Sequence, residues 1–137
     1  MKNIKQVKDK FRIEPQPAYY GGKIQTIHSF VEDIQVGDCQ LNFYDDYLGI
    51  FSITTYPGHE GKDYAELLYY EVEEIARQNG YNYILGEWSQ EKDVSEELRQ
   101  RIVGLAKKCG FRVATSEDYS KINYHGTKDR INYFKEI

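Results

Sequence analysis

The order of hydrophobic periods along the chain predicts a single mixed α/β domain, and three observations carry that reading. Stretches that alternate with period two, rich in β-branched and aromatic residues, lie before, between and after two stretches of period 3.6. The strand-like run at residues 47–56 is followed by helix, strand, helix and a closing strand pair, an order that joins residues 47–56 and 81–89 by a right-handed crossover. With 137 residues, 40% of them apolar and 13 of them Tyr, the chain has enough apolar and amphipathic surface for one core.

Residues 1–22 read as an N-terminal arm and 23–137 as the domain. Residues 1–12 hold five Lys or Arg among few apolar positions, which suits a mobile or surface-lying segment. Pro15, Pro17 and Gly21-Gly22 mark irregular chain or a turn. From Lys23, Ile24, Thr26, His28 and Phe30 alternate with Gln25, Ile27, Ser29 and Val31, a strand whose core face the pattern leaves open. Gly37-Asp38 is a turn signal, residues 39–44 a second strand, Asp45-Asp46 a short connection and residues 47–56 a third strand, ended by Pro57-Gly58. The second and third strands are expected to form an antiparallel hairpin.

From Tyr64 the spacing of Leu67, Leu68, Glu71, Val72, Ile75 and Ala76 predicts a helix, with Glu73, Glu74, Arg77 and Gln78 outward and Asn79-Gly80 as its stop. Residues 81–89 predict a strand. Asp93 and Glu96 have capping-box spacing, with Ser95 a competing cap, ahead of a second helix carrying Leu98, Ile102, Leu105 and Cys109 and stopped by Gly110. Residues 111–115 and 130–137 predict the last two strands, separated by a polar loop containing Asp118, Asn123 and Gly126.

A net charge of −4 and a pI near 5.4 argue against nucleic acid as the main partner, which would need clustered Lys and Arg. No run approaches the roughly 18 apolar residues of a membrane span, and the start of the chain lacks the apolar core of a signal peptide; a cytoplasmic protein is expected. Cys39 and Cys109 form no C-x-x-C pair and read as reduced, partly buried thiols. His28, His59 and His125 are too scattered for a metal motif, so no metal site is expected.

The sequence Gly58-His59-Glu60-Gly61-Lys62-Asp63 between a strand and a helix has two readings. It is a surface turn whose Asp63 caps the helix, or a loop in which bare helix-terminal amides meet an anion. Together with residues 47–56, the helix from Tyr64, Gly86-Glu87-Trp88-Ser89 and Cys109-Gly110-Phe111, it resembles the acyl-CoA-binding half of the GNAT acetyltransferase superfamily over roughly residues 47–115. The resemblance implies a GNAT-like, mostly antiparallel twisted sheet with flanking helices and acetyl-CoA as cofactor. It implies that His59, Glu60, Gly61, Lys62, Asp63, Tyr64 and Ala65 form the pyrophosphate turn and that backbone amides near Ile53 and Thr55 hold the acyl carbonyl. The sequence departs from the family at three places. Glu60 stands at the Arg or Gln position, Asp63 at the first motif Gly, and Ala106 where many members have a Tyr that protonates the leaving thiolate.

Glu87, near the end of the central strand, is the candidate general base for an amine, directly or through water; the plainer alternative is a hydrogen-bonded strand-end carboxylate. The tyrosines either cover an amphipathic sheet or make a binding face. Two functions follow. One is an N-acetyltransferase using acetyl-CoA and an amine acceptor; the other is a GNAT-like domain without catalysis that binds a protein partner. An edge strand near the C-terminus offers a place for two copies to pair as a homodimer.

Overall fold

The computed structural model describes residues 10–16, 23–87, 95–124, 126 and 131–137. They build β1 (Phe11–Pro15), β2 (Ile24–Val31), β3 (Ile34–Phe43), β4 (Leu48–Thr55), α1 (Tyr64–Gln78), β5 (Tyr83–Gly86), α2 (Glu96–Lys108), β6 (Arg112–Val113), α3 (Ser116–Lys121) and β7 (Tyr133–Glu136). The sheet has seven strands in the order β1-β2-β3-β4-β5-β7-β6. β4 and β5 are parallel, and every other neighbouring pair is antiparallel. The mixed, mostly antiparallel sheet expected from the sequence is therefore present.

Side chains alternate across a strand, so consecutive residues of β5 serve opposite faces. Ile84 joins a core with Ile27, Leu41, Leu48, Ile50 and the α1 residues Leu68 and Val72. Leu85 joins a smaller cluster with Tyr47, Tyr119, Ile122, Tyr124 and Phe134. On β2 the core face is that of Ile27 and Ser29, both buried.

Several expectations are corrected. The described part of residues 1–22 is not a free arm: β1 pairs with β2, and its Phe11 is buried against Tyr64 of α1. Gly37-Asp38 is not a turn. β3 runs through it, and the turn is Glu32-Asp33, with Glu32 at φ 57° and Val31 facing Ile34. Gly37 is needed for a close approach, since a Cβ there would lie 2.3 Å from the Thr54 carbonyl oxygen. The polar loop after β6 contains α3, whose Thr115 and Asp118 form a reciprocal capping box. Asp118, 2% exposed, also pairs with both guanidinium nitrogens of Arg112, at 2.5 and 2.8 Å.

β7 lies inside the sheet, so the C-terminal edge is only the two-residue β6. Residues 81–89 contribute a strand over Tyr83–Gly86; Trp88, Ser89 and Asp93 lie outside the described residues, as does His125. Ser95 caps α2, accepting from the Leu98 amide at 3.2 Å. Leu98 itself is 47% exposed, and α2 buries Ala106 instead, followed by its buried C-cap residue Cys109. Glu73 is not outward; Lys135 holds it at 3.0 Å, tying α1 to β7.

Candidate functional site

β4 and β5 keep register only through Leu48↔Ile84, Gly49↔Leu85 and Ile50↔Gly86. The Glu87 amide adds one more bond, to the Ile50 carbonyl at 2.8 Å. β4 then continues to Thr55, and among the described residues no strand pairs with that edge. A bulge accompanies the parting: Gln40 faces Ser52 while Leu41 faces Ile50, leaving Phe51 as the extra residue. A bulge bends its strand and re-aims the groups beyond it.

The direction of the β4 amides follows from strand alternation. Tyr56 N–H donates to the Val36 carbonyl of β3 at 2.9 Å, so the N–H groups of Thr55 and Ile53 point the other way, toward the gap. Ile53 and Thr55 thus present backbone N–H groups on the gap side of β4.

At the far end of β4 the chain turns through residues 57–63 into α1. Gly58, Gly61 and Asp63 have φ of 89°, 76° and 66°, three left-handed residues that bend the chain tightly. The expected Asp63 side-chain cap is absent: Asp63 occupies the N-cap position but makes no side-chain capping bond. The first-turn amides of α1 therefore keep the positive end of the helix uncapped by that side chain, the local chemistry an anion seeks. Glu60 is exposed and accepts from the Gly58 amide of its own loop at 3.0 Å. Gly61, Lys62 and Asp63 are exposed, and His59 and Ala65 are half-buried. Tyr64 faces the core, stacked on Phe11 with ring centroids 6.3 Å apart. The only first-turn acid of the helix, Glu66, is buried and is neutralised by Lys108 at 3.2 Å and a hydrogen bond from Tyr70.

Glu87 lies at the opposite flank of the gap and is 7% exposed. Burial pushes its carboxyl up to about 7, against a hydrogen bond from Tyr44 that favours the ionised form. The carboxyl opens on a cleft of about 370 Å³ between residues 44–47 and residues 122–124 with Gly126. Its walls are aromatic: Tyr44 and Tyr47 stack at 4.5 Å, and Tyr47 and Tyr124 approach to 6.4 Å. Burial first, then the nearby Glu87, pushes the Tyr44 and Tyr47 hydroxyls upward, so both remain protonated donors at neutral pH. Gly49 makes the arrangement possible. A Cβ there would meet the Tyr44 ring at 2.8 Å and the Glu87 carboxylate at 3.3 Å.

The sequence reading found Glu87 but missed Tyr44, Tyr47, Asn123 and Tyr124 around it. The only local signal was a Tyr-Asp-Asp-Tyr turn entering a buried strand; the partners that complete the cleft come from the segment after α3. Ala106, at the family's Tyr position, is fully buried in the core and offers no proton. Among the described residues, no group of three His, Cys, Asp or Glu is placed to hold a metal, and no helix is long and apolar enough to cross a membrane.

A mixed sheet that parts between two parallel strands beside a helix N-terminus defines the GNAT acyltransferase fold. Residues 9–111 match the family model for the GNAT acetyltransferase family, and the chain belongs to that family. Among solved structures, a Bacillus subtilis acetyltransferase in complex with CoA superposes with a TM-score of 0.67 at 15% identity, over 93% of this chain and 99% of the other. A GNAT family acetyltransferase from Elizabethkingia anophelis with acetyl-CoA bound gives 0.67 at 14% identity, over 94% and 99%. An IAA acetyltransferase from Bacillus cereus gives 0.66 at 18% identity, over 93% and 99%. Identities this low carry the fold alone. No curated protein matches the sequence at a significant level.

Proposed function

We propose that this chain is an N-acetyltransferase that moves an acetyl group from acetyl-CoA to an amine, with Glu87 as general base. The observation that carries the reading is the buried carboxyl of Glu87, brought to about 7 at the flank of the β4–β5 gap and open to an aromatic cleft. A base titrating near neutrality is half ionised there yet still binds a proton well, the compromise that general-base catalysis requires.

Acetyl-CoA supplies the activated acyl group. The uncapped amides of α1 and the left-handed turn before it suit its phosphates, and the Ile53 and Thr55 amides facing the gap suit its carbonyl oxygen. Glu60 and Asp63 oppose an anion at this turn. Glu60 is engaged by the Gly58 amide, and Lys62 supplies a compensating charge. In the reaction the amine nitrogen forms a bond to the carbonyl carbon, Glu87 takes the proton the nitrogen gives up, and the carbon–sulfur bond breaks. With Ala106 in place of the usual Tyr, the leaving thiolate takes its proton from water or remains a thiolate.

The test is a calorimetric titration with acetyl-CoA, with CoA and ATP as controls, followed by a thiol-release assay over an amine panel. CoA-specific binding at micromolar strength, about −8 kcal/mol, together with thiol release that depends on an amine, is expected. Absence of binding at millimolar acetyl-CoA overturns the reading in favour of a non-catalytic, protein-binding domain.

A further inference from the structure

Among the described residues, the cleft beside Glu87 carries more negative charge than a general base requires. Asp45, Asp46 and Glu87 all line it, and its described lining holds no Lys, Arg or His. Elsewhere the buried acids Glu66 and Asp118 are matched by Lys108 and Arg112, and the half-buried Glu73 by Lys135 and Arg77. Asp45 and Asp46 make no ion pair among the described residues. Asp46 accepts one hydrogen bond, from the Asn123 side chain at 3.1 Å, which bridges the two walls. Adjacent aspartates with no ion pair among the described residues leave a local negative potential that a bound cation would relieve.

The cleft also separates its charges by depth. Glu87 is buried, whereas Asp45 and Asp46 are exposed. Tyr44, Tyr47 and Tyr124 line the same cleft, and aromatic rings attract alkylammonium groups and cover aliphatic chain. Its volume of about 370 Å³ lies at the small end of the roughly 300 to 1,000 Å³ typical of ligand pockets.

An alkylamine titrates near 10, as the Lys side chain does, and enters as a cation. The reacting nitrogen must lose its proton before it can attack, and its attraction to the aspartates goes with it. A second positive charge away from the reacting nitrogen is held through ground state and transition state alike, which lowers KM and so raises kcat/KM without changing kcat.

We infer that the acceptor is a small aliphatic amine with a second positive charge, its reacting nitrogen toward Glu87 and its other ammonium at Asp45 and Asp46. This rests on the transferase reading for the reaction, while the binding preference stands without it. The test compares three probes of equal chain length, 1,4-diaminobutane, butylamine and 4-aminobutyrate, by calorimetry on the full chain with and without CoA and by thiol release with acetyl-CoA. The diamine should bind at least about 10-fold tighter than butylamine, with 4-aminobutyrate weakest. In the Asp45→Asn/Asp46→Asn variant the ratio of diamine to butylamine should fall toward one, with Asp45→Asn alone, which leaves the Asn123 bridge in place, giving part of the fall. Equal binding of diamine and butylamine, or a ratio that survives the double variant, overturns the inference. Thiol release without diamine preference sinks this inference and leaves the transferase; diamine preference without thiol release does the reverse.

Discussion

The turn before α1 and the cleft beside Glu87 both carry carboxylates, and the fold treats them in opposite ways. At the turn, Glu60 and Asp63 stay exposed, where water screens them, and the geometry is set by backbone: three left-handed residues and the uncapped start of a helix. At the cleft a single carboxyl is taken out of water, and its charge state becomes the central chemical variable of the site. The same residue type is thus a tolerated departure from the family pattern in one place and the proposed base in the other. Burial decides which, more than identity does.

The largest effect should come from removing the buried carboxyl. Glu87→Gln is expected to lower kcat/KM for acetyl transfer by about 10²- to 10⁴-fold while CoA affinity, measured by calorimetry, changes less than about twofold. In the wild type kcat/KM should rise with pH through about 7 as Glu87 ionises, and the variant should lose that limb. A loss of activity under about 10-fold would mean that the nitrogen finds another base.

Stability should show the same carboxyl from the other side. Its folded-state value, about 7, lies above the ordinary 4.5, so between those limits the folded chain binds more protons than the unfolded one. The Glu87 contribution therefore falls as pH rises across that window, is most favourable below 4.5, and costs its full amount above about 7. At about 1.4 kcal/mol per pH unit that cost is about 3 kcal/mol. Denaturant titrations at several pH values should show the slope in the wild type and a flatter profile in Glu87→Gln. Equal profiles would place the carboxyl in water and remove the contrast between the two regions.

Gly49→Ala tests how tightly the cleft wall is built. Its Cβ would lie 2.8 Å from the Tyr44 ring, and overpacking of this kind costs about 1 to 3 kcal/mol, which a drop in Tm of several degrees would register. An unchanged Tm would show that Tyr44 moves freely and does not hold Glu87.

The smallest change belongs to the turn. Asp63→Gly removes a carboxylate and relieves a side chain at φ 66°, while the freer unfolded chain offsets part of the gain. Stability should stay within about 1 kcal/mol, and calorimetry should find CoA bound several-fold more tightly. Weaker binding would mean that Asp63 organises the turn rather than opposing its ligand.

Elements with strong periodicity were legible in the sequence. The stripe from Tyr64 to Ala76 and the stop at Asn79-Gly80 correspond to α1 within its stated bounds, because a 3.6-residue repeat of apolar side chains has one way to bury itself. The hairpin of β3 and β4 was legible for the same reason at period two. Gly37 was misread because a glycine looks the same in a turn as under a carbonyl oxygen. β1 was missed because five cationic or prolyl neighbours masked Phe11, whose burial depends on α1, more than 50 positions later. α3 was missed because its six residues are too few to show a period.

The candidate site divides along the same line. The sequence by itself determined the fold class, the turn at residues 57–63 and the position of Glu87 at the end of a central strand, since each is written in local spacing. Tertiary structure alone decided that Asp63 leaves α1 uncapped, that Ala106 is core, and that Glu87 is buried among Tyr44, Tyr47 and Tyr124. The walls of that cleft meet where Asn123 reaches Asp46 across 77 positions of chain. Burial, and with it the charge of a carboxyl, is a property of segments that meet only when the sheet is complete.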